Sequence, residues 1–287
     1  MKRIIVSDSS SNIFAIEGTA YTTVPMKIIF GGKEYVDTPQ LDLQGMVDDL
    51  RQHKGKSGSS CPNVQEWLDA FGDADEVFGV TISKNLSGSY NSAKQAAEIF
   101  QQENPGKKIF IFDTLTAGPQ QAMLIDKLNE LISQGLDFET VRCQAQEYHD
   151  HTHILFCLES MNNLARNGRV NPAVAKIAGL LGIRACGSAP NGFITAEQKP
   201  RGMKKAMETL VQMMESRGLE NGKLVRVAHC FGLEQANALK EATLAKFPGV
   251  RFVIEPTTAL CSFYAEAGGL MIGMEGGYNE PNSGRDF

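Results

Sequence analysis

The sequence lacks a basic run, a long apolar stretch and a paired-cysteine motif, and each absence removes a class of function. Its 28 Lys and Arg stand against 33 Asp and Glu, for a net charge of -5. No positive field is available to neutralise phosphates along a duplex, so nucleic acid is not expected as a partner. No stretch reaches the roughly 18 consecutive apolar residues of a membrane span. The opening Met1-Lys-Arg-Ile-Ile-Val-Ser-Asp turns polar after a short apolar run, too soon for a signal-peptide core. A cytoplasmic protein is expected.

The six cysteines (Cys61, Cys143, Cys157, Cys186, Cys230, Cys261) contain no Cys-x-x-Cys pair. Scattered cytosolic thiols mostly act as small buried hydrophobes, so neither a disulfide nor zinc is expected. The Gly-x-Ser-x-Gly elbow, Gly-x-Gly-x-x-Gly and the Walker loop are absent, which removes the familiar hydrolase and nucleotide readings. No cofactor is expected. The cluster Tyr148-His-Asp-His-Thr-His153 has no clear third ligand elsewhere and reads as a solvated helix end with cationic histidines, not a metal site. His229 and Cys230 are adjacent at a strand end, where side chains diverge, and read as structural.

What is present is a soluble, core-forming composition, 42% hydrophobic and 21% charged over 287 residues, a length that favours two domains. Short apolar β-branched runs alternate with helical patterns through the first half: residues 2 to 6, Val77 to Ile82 and Lys108 to Asp113 read as strands. That alternation predicts an α/β fold with a parallel, doubly wound sheet. Lys27 to Phe30 and Lys33 to Val36 flank Gly31-Gly32 as a hairpin, and residues 53 to 60 read as a flexible loop. A helix follows, with Pro62 in its first turn and Ser60 or Cys61 at its cap.

In the second half, Ala173 to Leu181 and the Met-rich Gly202 to Arg217 read as helices, Ile183 to Thr195 as a hairpin, Lys223 to Ile254 as strand, helix, strand, and Gly268 to Gly277 as a last strand before a loose tail from Tyr278. The expected division is residues 1–155, an α/β domain, and residues 156–287, a second α/β domain closing a cleft.

The organising stretch is Phe78 to Phe100. A buried strand gives way to a helix through Ser83, Ser87, Gly88, Ser89 and Ser92, so hydroxyls gather where a helix exposes its first N–H groups. A carboxylate or phosphate would be stabilised there, in a crevice shared with Ser7-Asp8-Ser9 and Asp113. An ordinary serine-rich N-cap is the other reading of the stretch alone. Arg169 and Arg201, each in a turn beside Gly or Pro, could reach an acid across a domain cleft, or serve as surface ion pairs.

An ordered set of motifs resembles the DegV family of fatty-acid-binding proteins over most of the chain. Ile5-Val-Ser-Asp-Ser-Ser10 is similar to its opening strand and Asp-Ser turn, Val24-Pro-Met26 to Val-Pro-Leu, and Tyr35-Val-Asp37 to its tyrosine and aspartate. Ser59-Ser-Cys-Pro62 stands for Thr-Ser-Gln-Pro, and Leu86-Ser-Gly-Ser-Tyr90 for Leu-Ser-Gly-Thr-Tyr. Asn167-Gly-Arg-Val170 resembles Gly-Gly-Arg-Ile, and Lys199-Pro-Arg-Gly202 with Lys204-Lys-Ala206 the family's arginine and Lys-Lys-Ala segment.

The resemblance implies a two-domain DegV-like fold, with a parallel-sheet N-terminal domain bearing helices on both faces. It also implies a non-enzymatic carrier for one long-chain fatty acid, its tail in an apolar tunnel. The ligand-binding set so implied is Ser59, Ser60, Ser87, Gly88, Ser89, Arg169, Arg201 and Tyr264, with the carboxylate on Ser59 and Ser87. Some family members present the acid to a fatty acid kinase. Here the family's His-Thr-Gly-Pro-Gly reads Tyr264-Ala-Glu-Ala-Gly268 and Ile-Lys-Pro-Ile reads Ile183-Arg-Ala-Cys186, with Glu266 placed to repel an anion, so lipid binding is expected ahead of that handover, with a fatty acid kinase kept as a candidate partner. An enzyme for a small anionic substrate and a degenerate member with only an interaction role are the competing classes.

Overall fold

The computed structural model describes residues 1–173, 175 and 182–279. Most of the helix read at Ala173 to Leu181, and the tail beyond Asn279, lie outside the described residues. Along the chain run β1 (Arg3–Asp8), β2 (Ala20–Val24), β3 (Lys27–Phe30), β4 (Lys33–Val36), α1 (Leu43–Gln52), β5 (Ser57–Ser60), α2 (Val64–Phe71), β6 (Glu76–Thr81), α3 (Ser89–Glu103), β7 (Lys108–Asp113), α4 (Pro119–Ser133) and α5 (Phe138–Asp150). They are followed by β8 (Thr152–Leu158), α6 (Asn162–Arg166), β9 (Ala185–Ser188), β10 (Thr195–Gln198), α7 (Met203–Ser216), β11 (Leu224–His229), α8 (Leu233–Lys246), β12 (Arg251–Pro256), α9 (Ala259–Ala265) and β13 (Leu270–Glu275).

The first sheet has the order β2-β1-β6-β7 and is parallel throughout. Alternate residues of its central strands face opposite helix layers. Ile5, Phe78 and Phe112 pack on Leu124, Ile125 and Leu128 of α4 and on Phe138 and Val141 of α5. Ile4, Val6 and Val77 pack on Trp67 and Phe71 of α2 and on Ala93, Ala96 and Phe100 of α3. Burial on both faces is what a parallel sheet with crossover helices demands. This is the doubly wound arrangement read from the alternation.

The second sheet is mixed, β10-β9-β8-β13-β11-β12, with only β11 and β12 parallel. Leu155 and Cys157 of β8, with Val225, Val227 and Ile272, face the Met-rich side of α7 and α8. The other face of β8 looks toward the first sheet, and α4 packs against both sheets. Residue 155 falls inside β8, all of which belongs to the second sheet.

Two local readings are corrected. Residues 57 to 60 form β5, paired antiparallel to β3 in a small sheet β4-β3-β5, not a loop. Gly and Ser have weak strand preference, and only the pairing makes this stretch a strand. The cap of α2 is Asn63, not Ser60 or Cys61: its side chain accepts from the Glu66 N–H while Glu66 returns a bond to the Asn63 N–H. The residues 22 to 30 serve two sheets, β2 in one and β3 in another, because Pro25 separates them.

Candidate functional site

Ser59 lies opposite Ile28 in the β3–β5 ladder, so both share the face turned toward α9, where Leu260 and Phe263 pack on Ile28. There the Ser59 hydroxyl meets the Tyr264 hydroxyl at 2.8 Å. Ser60, one residue on, faces the other way opposite Lys27 and lines neither apolar cavity described below. The period-two pleat separates the two serines.

Ser87 ends the turn that leaves β6, where the N–H groups of Leu86 and Ser87 donate to the Ser83 carbonyl at 3.0 and 3.1 Å. Its Oγ accepts from the Ser89 N–H at 3.3 Å, which leaves its own O–H to donate elsewhere. Gly88 precedes α3, and a Cβ there would lie 3.2 Å from the Cys61 sulfur. The glycine lets α3 start close against the β5 strand end.

Ser89 is a correction: it points back under the sheet, fully buried, and donates to Asp8 Oδ2 at 2.7 Å. Asp8 also receives the Ile82 N–H at 3.0 Å, the Gln121 amide at 3.1 Å and the Ser10 hydroxyl. The expected polar crevice of Ser7, Asp8, Ser9, Ser83 and Ser89 is therefore internal framework. Ser7 bonds Ser11 and Tyr21, Ser9 donates to Asp37, Ser83 to the Gly192 carbonyl and Ser89 to Asp8, and of the serines between β6 and α3 only Ser87 lines an apolar cavity. Burial pushes the Asp8, Asp37 and Asp113 carboxyls above their ordinary range, against the hydrogen bonds each accepts.

Arg169 sits with Ser87. Its Nε donates to the Leu86 carbonyl at 3.1 Å, and its guanidinium lies 6.0 Å from the Tyr264 ring centre. Arg201 does not join it: its backbone bridges Ile183, its side chain is exposed, and it lines neither apolar cavity. The turn preceding α7 runs along the edge of the second sheet, away from the other polar groups.

Tyr264 is set by a long-range cap. Asp37 accepts the Ala259 N–H at 2.8 Å and the Leu260 N–H at 3.1 Å, fixing the start of α9. Glu266 occupies a left-handed conformation (φ 55°), and its carboxylate accepts the Asn163 N–H at 3.0 Å. The expected repulsion by Glu266 at the head-group site is thus corrected, since this carboxylate serves the start of α6.

Behind these polar groups lie two adjoining apolar cavities of about 80 and 70 Å³. The first is lined by Ser59, Ser87, Arg169 and Tyr264 together with Met26, Ile82, Leu260, Cys261 and others. The second continues along Phe156, Leu158 and Ala265, and the two share Leu86, Ala117, Leu164, Ile194, Tyr264 and Met271 as walls. These apolar wall residues come from eight separate places in the chain, and no sequence period links them. Ser59, Ser87 and Arg169 line the first cavity alone, while Tyr264 lines both and Thr116 the second.

A third cavity, of about 220 Å³, is polar and is lined by Thr114, Gln120, His149, His153, Asn191, Arg217 and neighbours. The histidine cluster is corrected accordingly. His149 is buried at the end of α5 with Nε2 2.8 Å from the Thr114 carbonyl, and His153 is buried in β8 with Nε2 3.0 Å from the Gly277 carbonyl. Among the described residues no His/Cys/Asp/Glu group has the arrangement of a metal site, and no helix is long and apolar enough to cross a membrane.

Burial holds His153 below the ordinary histidine value, with the Gly277 carbonyl acting in the opposite direction. The unfolded chain then binds the proton at a higher pH than the folded one, so this contribution is complete above the ordinary value and is lost as pH falls beneath it. Urea denaturation at about pH 7.5 and 5.5 should show a stability loss on the acid side of up to roughly 1 kcal/mol that His153→Gln reduces. An equal loss in both proteins would assign it to other groups.

The fold and these cavities define an α/β protein built on a parallel and a mixed sheet, with adjoining apolar cavities, one of them lined also by two serines, a tyrosine and a guanidinium. A family model described as "Uncharacterised protein, DegV family" matches residues 2–275, and the chain belongs to the DegV family. A DegV domain-containing protein of Streptococcus gordonii is 35% identical over 276 residues, covering 94% of this chain and 98% of the relative. A DegV family protein from Eubacterium eligens, solved loaded with heptadecanoic acid, superposes with a TM-score of 0.92 at 34% identity, over 96% of this chain and 99% of that one. The Streptococcus pneumoniae Fatty Acid Kinase B3 protein, solved loaded with linoleic acid, gives 0.93 at 35% identity, with the same coverage.

Proposed function

We propose that the protein binds a long-chain fatty acid, with its tail in the two apolar cavities and its carboxylate against Ser59, Ser87 and Arg169, and that it acts as a carrier without chemistry of its own. The observation that carries this reading is a pair of apolar cavities with six lining residues in common, the first lined also by two serines and a guanidinium. The likeness to proteins solved with heptadecanoic and linoleic acid supports the ligand class. The kinase named for the second of these supports a partner that receives the acid, despite the altered segment from Tyr264 to Gly268.

In physical terms each buried methylene contributes about 0.8 kcal/mol, so a long tail gives micromolar or tighter binding once the head group is satisfied. The tail displaces the adaptable walls, of which Met26 and Met271 are unbranched thioethers. One carboxylate oxygen takes the place of the Tyr264 hydroxyl on Ser59, and the other accepts from Ser87. Residues 1–155 supply both serines and residues 156–287 supply Arg169 and Tyr264, so the ligand lies between the two proposed domains.

Native mass spectrometry of freshly purified protein should find a fatty acid mass, and emptied protein should take up palmitate. Repeated failure of both sinks the reading. Ser87→Ala should weaken palmitate binding about five- to thirtyfold, the roughly 1 to 2 kcal/mol of one donor lost from a buried carboxylate. Unchanged affinity would move the head group elsewhere.

A further inference from the structure

The apolar channel and the polar cavity are neighbours, divided by a thin wall. Ile154 and Ala189 line the polar cavity on one side and the second apolar cavity on the other. The turn after β7 crosses the same divide: Thr114 and Leu115 line the polar cavity and Thr116 the apolar one, with Leu115 held at a left-handed φ of 52°.

The side-chain period of β8 explains how the wall is placed. Leu155 and Cys157 enter the core under α7, while Ile154, Phe156 and Leu158 line the channel. Along that face Leu158 lies nearer the mouth, beside Leu164, and Ile154 stands four residues back, about 13 Å further along an extended strand. Across the ladder Ile154 is paired with Gly273, so no side chain of β13 stands opposite it. That glycine is required by α4, because a Cβ there would lie 2.8 Å from the Gln120 nitrogen. The sec-butyl side chain of Ile154 is thus the one on β8 that lines both the apolar and the polar cavity.

We infer that Ile154, backed by Ala189, sets the longest chain the protein accepts by closing the channel before the polar cavity. The inference rests on the fatty-acid reading above and adds a specificity residue to it. A tail that stops short of Ile154 keeps every methylene in apolar surroundings. A longer one would have to displace Ile154 and enter a cavity whose walls are amide, imidazole and guanidinium, where burial gains little and polar groups lose partners.

The test is a competition by native mass spectrometry among straight-chain acids of about 14 to 22 carbons, for the wild type, Ile154→Val and Ile154→Ala. The wild type should show a sharp upper limit. Ile154→Ala should move that limit up by about two carbons, with the first excluded acid gaining about fifteenfold, and Ile154→Val should move it less. A chain bearing a terminal hydroxyl should gain further in Ile154→Ala, because its end then reaches Gln120 and Thr114. A length profile unchanged in both variants overturns the inference while leaving the fatty-acid reading standing. Failure of the wild type to take up any acid overturns both. Ile154→Val removes a single methyl, so the comparison holds even where the alanine variant does not fold.

Discussion

Replacing Ala117 by Phe should abolish uptake of a long-chain acid while leaving the protein folded. Ala117 lies in the loop after β7 and lines both apolar cavities, at the point where they meet. A benzyl group there fills the space through which the tail must pass. Excluding half a dozen methylenes forfeits about 5 kcal/mol, more than a thousandfold in affinity. The residue is only partly buried and stands outside regular structure, so the added ring costs stability at the low end of the 1 to 3 kcal/mol typical of overpacking. Ala117→Leu should give an intermediate loss. Titration with palmitate, alongside thermal unfolding to show that the fold persists, checks the expectation. Full binding by Ala117→Phe would mean that the tail does not run between the two cavities.

Asp8→Ala should destabilise the protein by about 3 to 5 kcal/mol, since several buried donors lose their acceptor at roughly 1 kcal/mol or more each. The carboxylate is fully buried and receives the Ile82 N–H, the Ser89 and Ser10 hydroxyls and the Gln121 amide. It thereby ties the ends of β1 and β6 to the starts of α3 and α4. Alanine would leave those donors buried without an acceptor, and the turn that aims Ser87 would loosen with them. Urea denaturation measures the loss, and a change under about 1 kcal/mol would mean that water or a rotated glutamine substitutes readily. Asp8→Asn, which keeps one acceptor oxygen, should cost less. Because burial raises the Asp8 carboxyl, the folded protein holds that proton more tightly than the unfolded chain, so its contribution is largest in acid and declines as pH rises through the raised value. The gap between wild type and Asp8→Asn should accordingly narrow from about pH 4 toward neutrality.

Much of the first sheet was legible because its strands obey a strong local rule. Runs such as Ile4-Ile-Val6 and Val77 to Val80 are buried on both faces and followed by helices with clear apolar stripes. The strand β5 was not, since Ser57-Gly-Ser-Ser60 has neither bulk nor alternation and depends on β3 for its form. The α9 helix is hidden for a related reason: Thr258 stands at its N-cap without a side-chain cap bond, and its start is held instead by Asp37, more than two hundred positions away in the chain. Of the expected ligand set, Ser59, Ser87, Arg169 and Tyr264 converge on one cavity. Ser60, Ser89 and Arg201 do not, because pleat direction, the Asp8 cluster and the path of the chain before α7 send them elsewhere. Motif matching names a segment, and within it only backbone direction selects the side chain that faces the cavity.

The sequence by itself determined the parallel sheet, its helix layers and the presence of hydroxyl-bearing segments around Ser59 and Ser87, because each rests on residues close in the chain. The tertiary structure decided which hydroxyls line a cavity, where the apolar cavities lie and that Ile154 stands between them and the polar one. Those properties belong to surfaces assembled from distant segments, and apolar side chains that meet only in space leave no period or spacing in the order of residues.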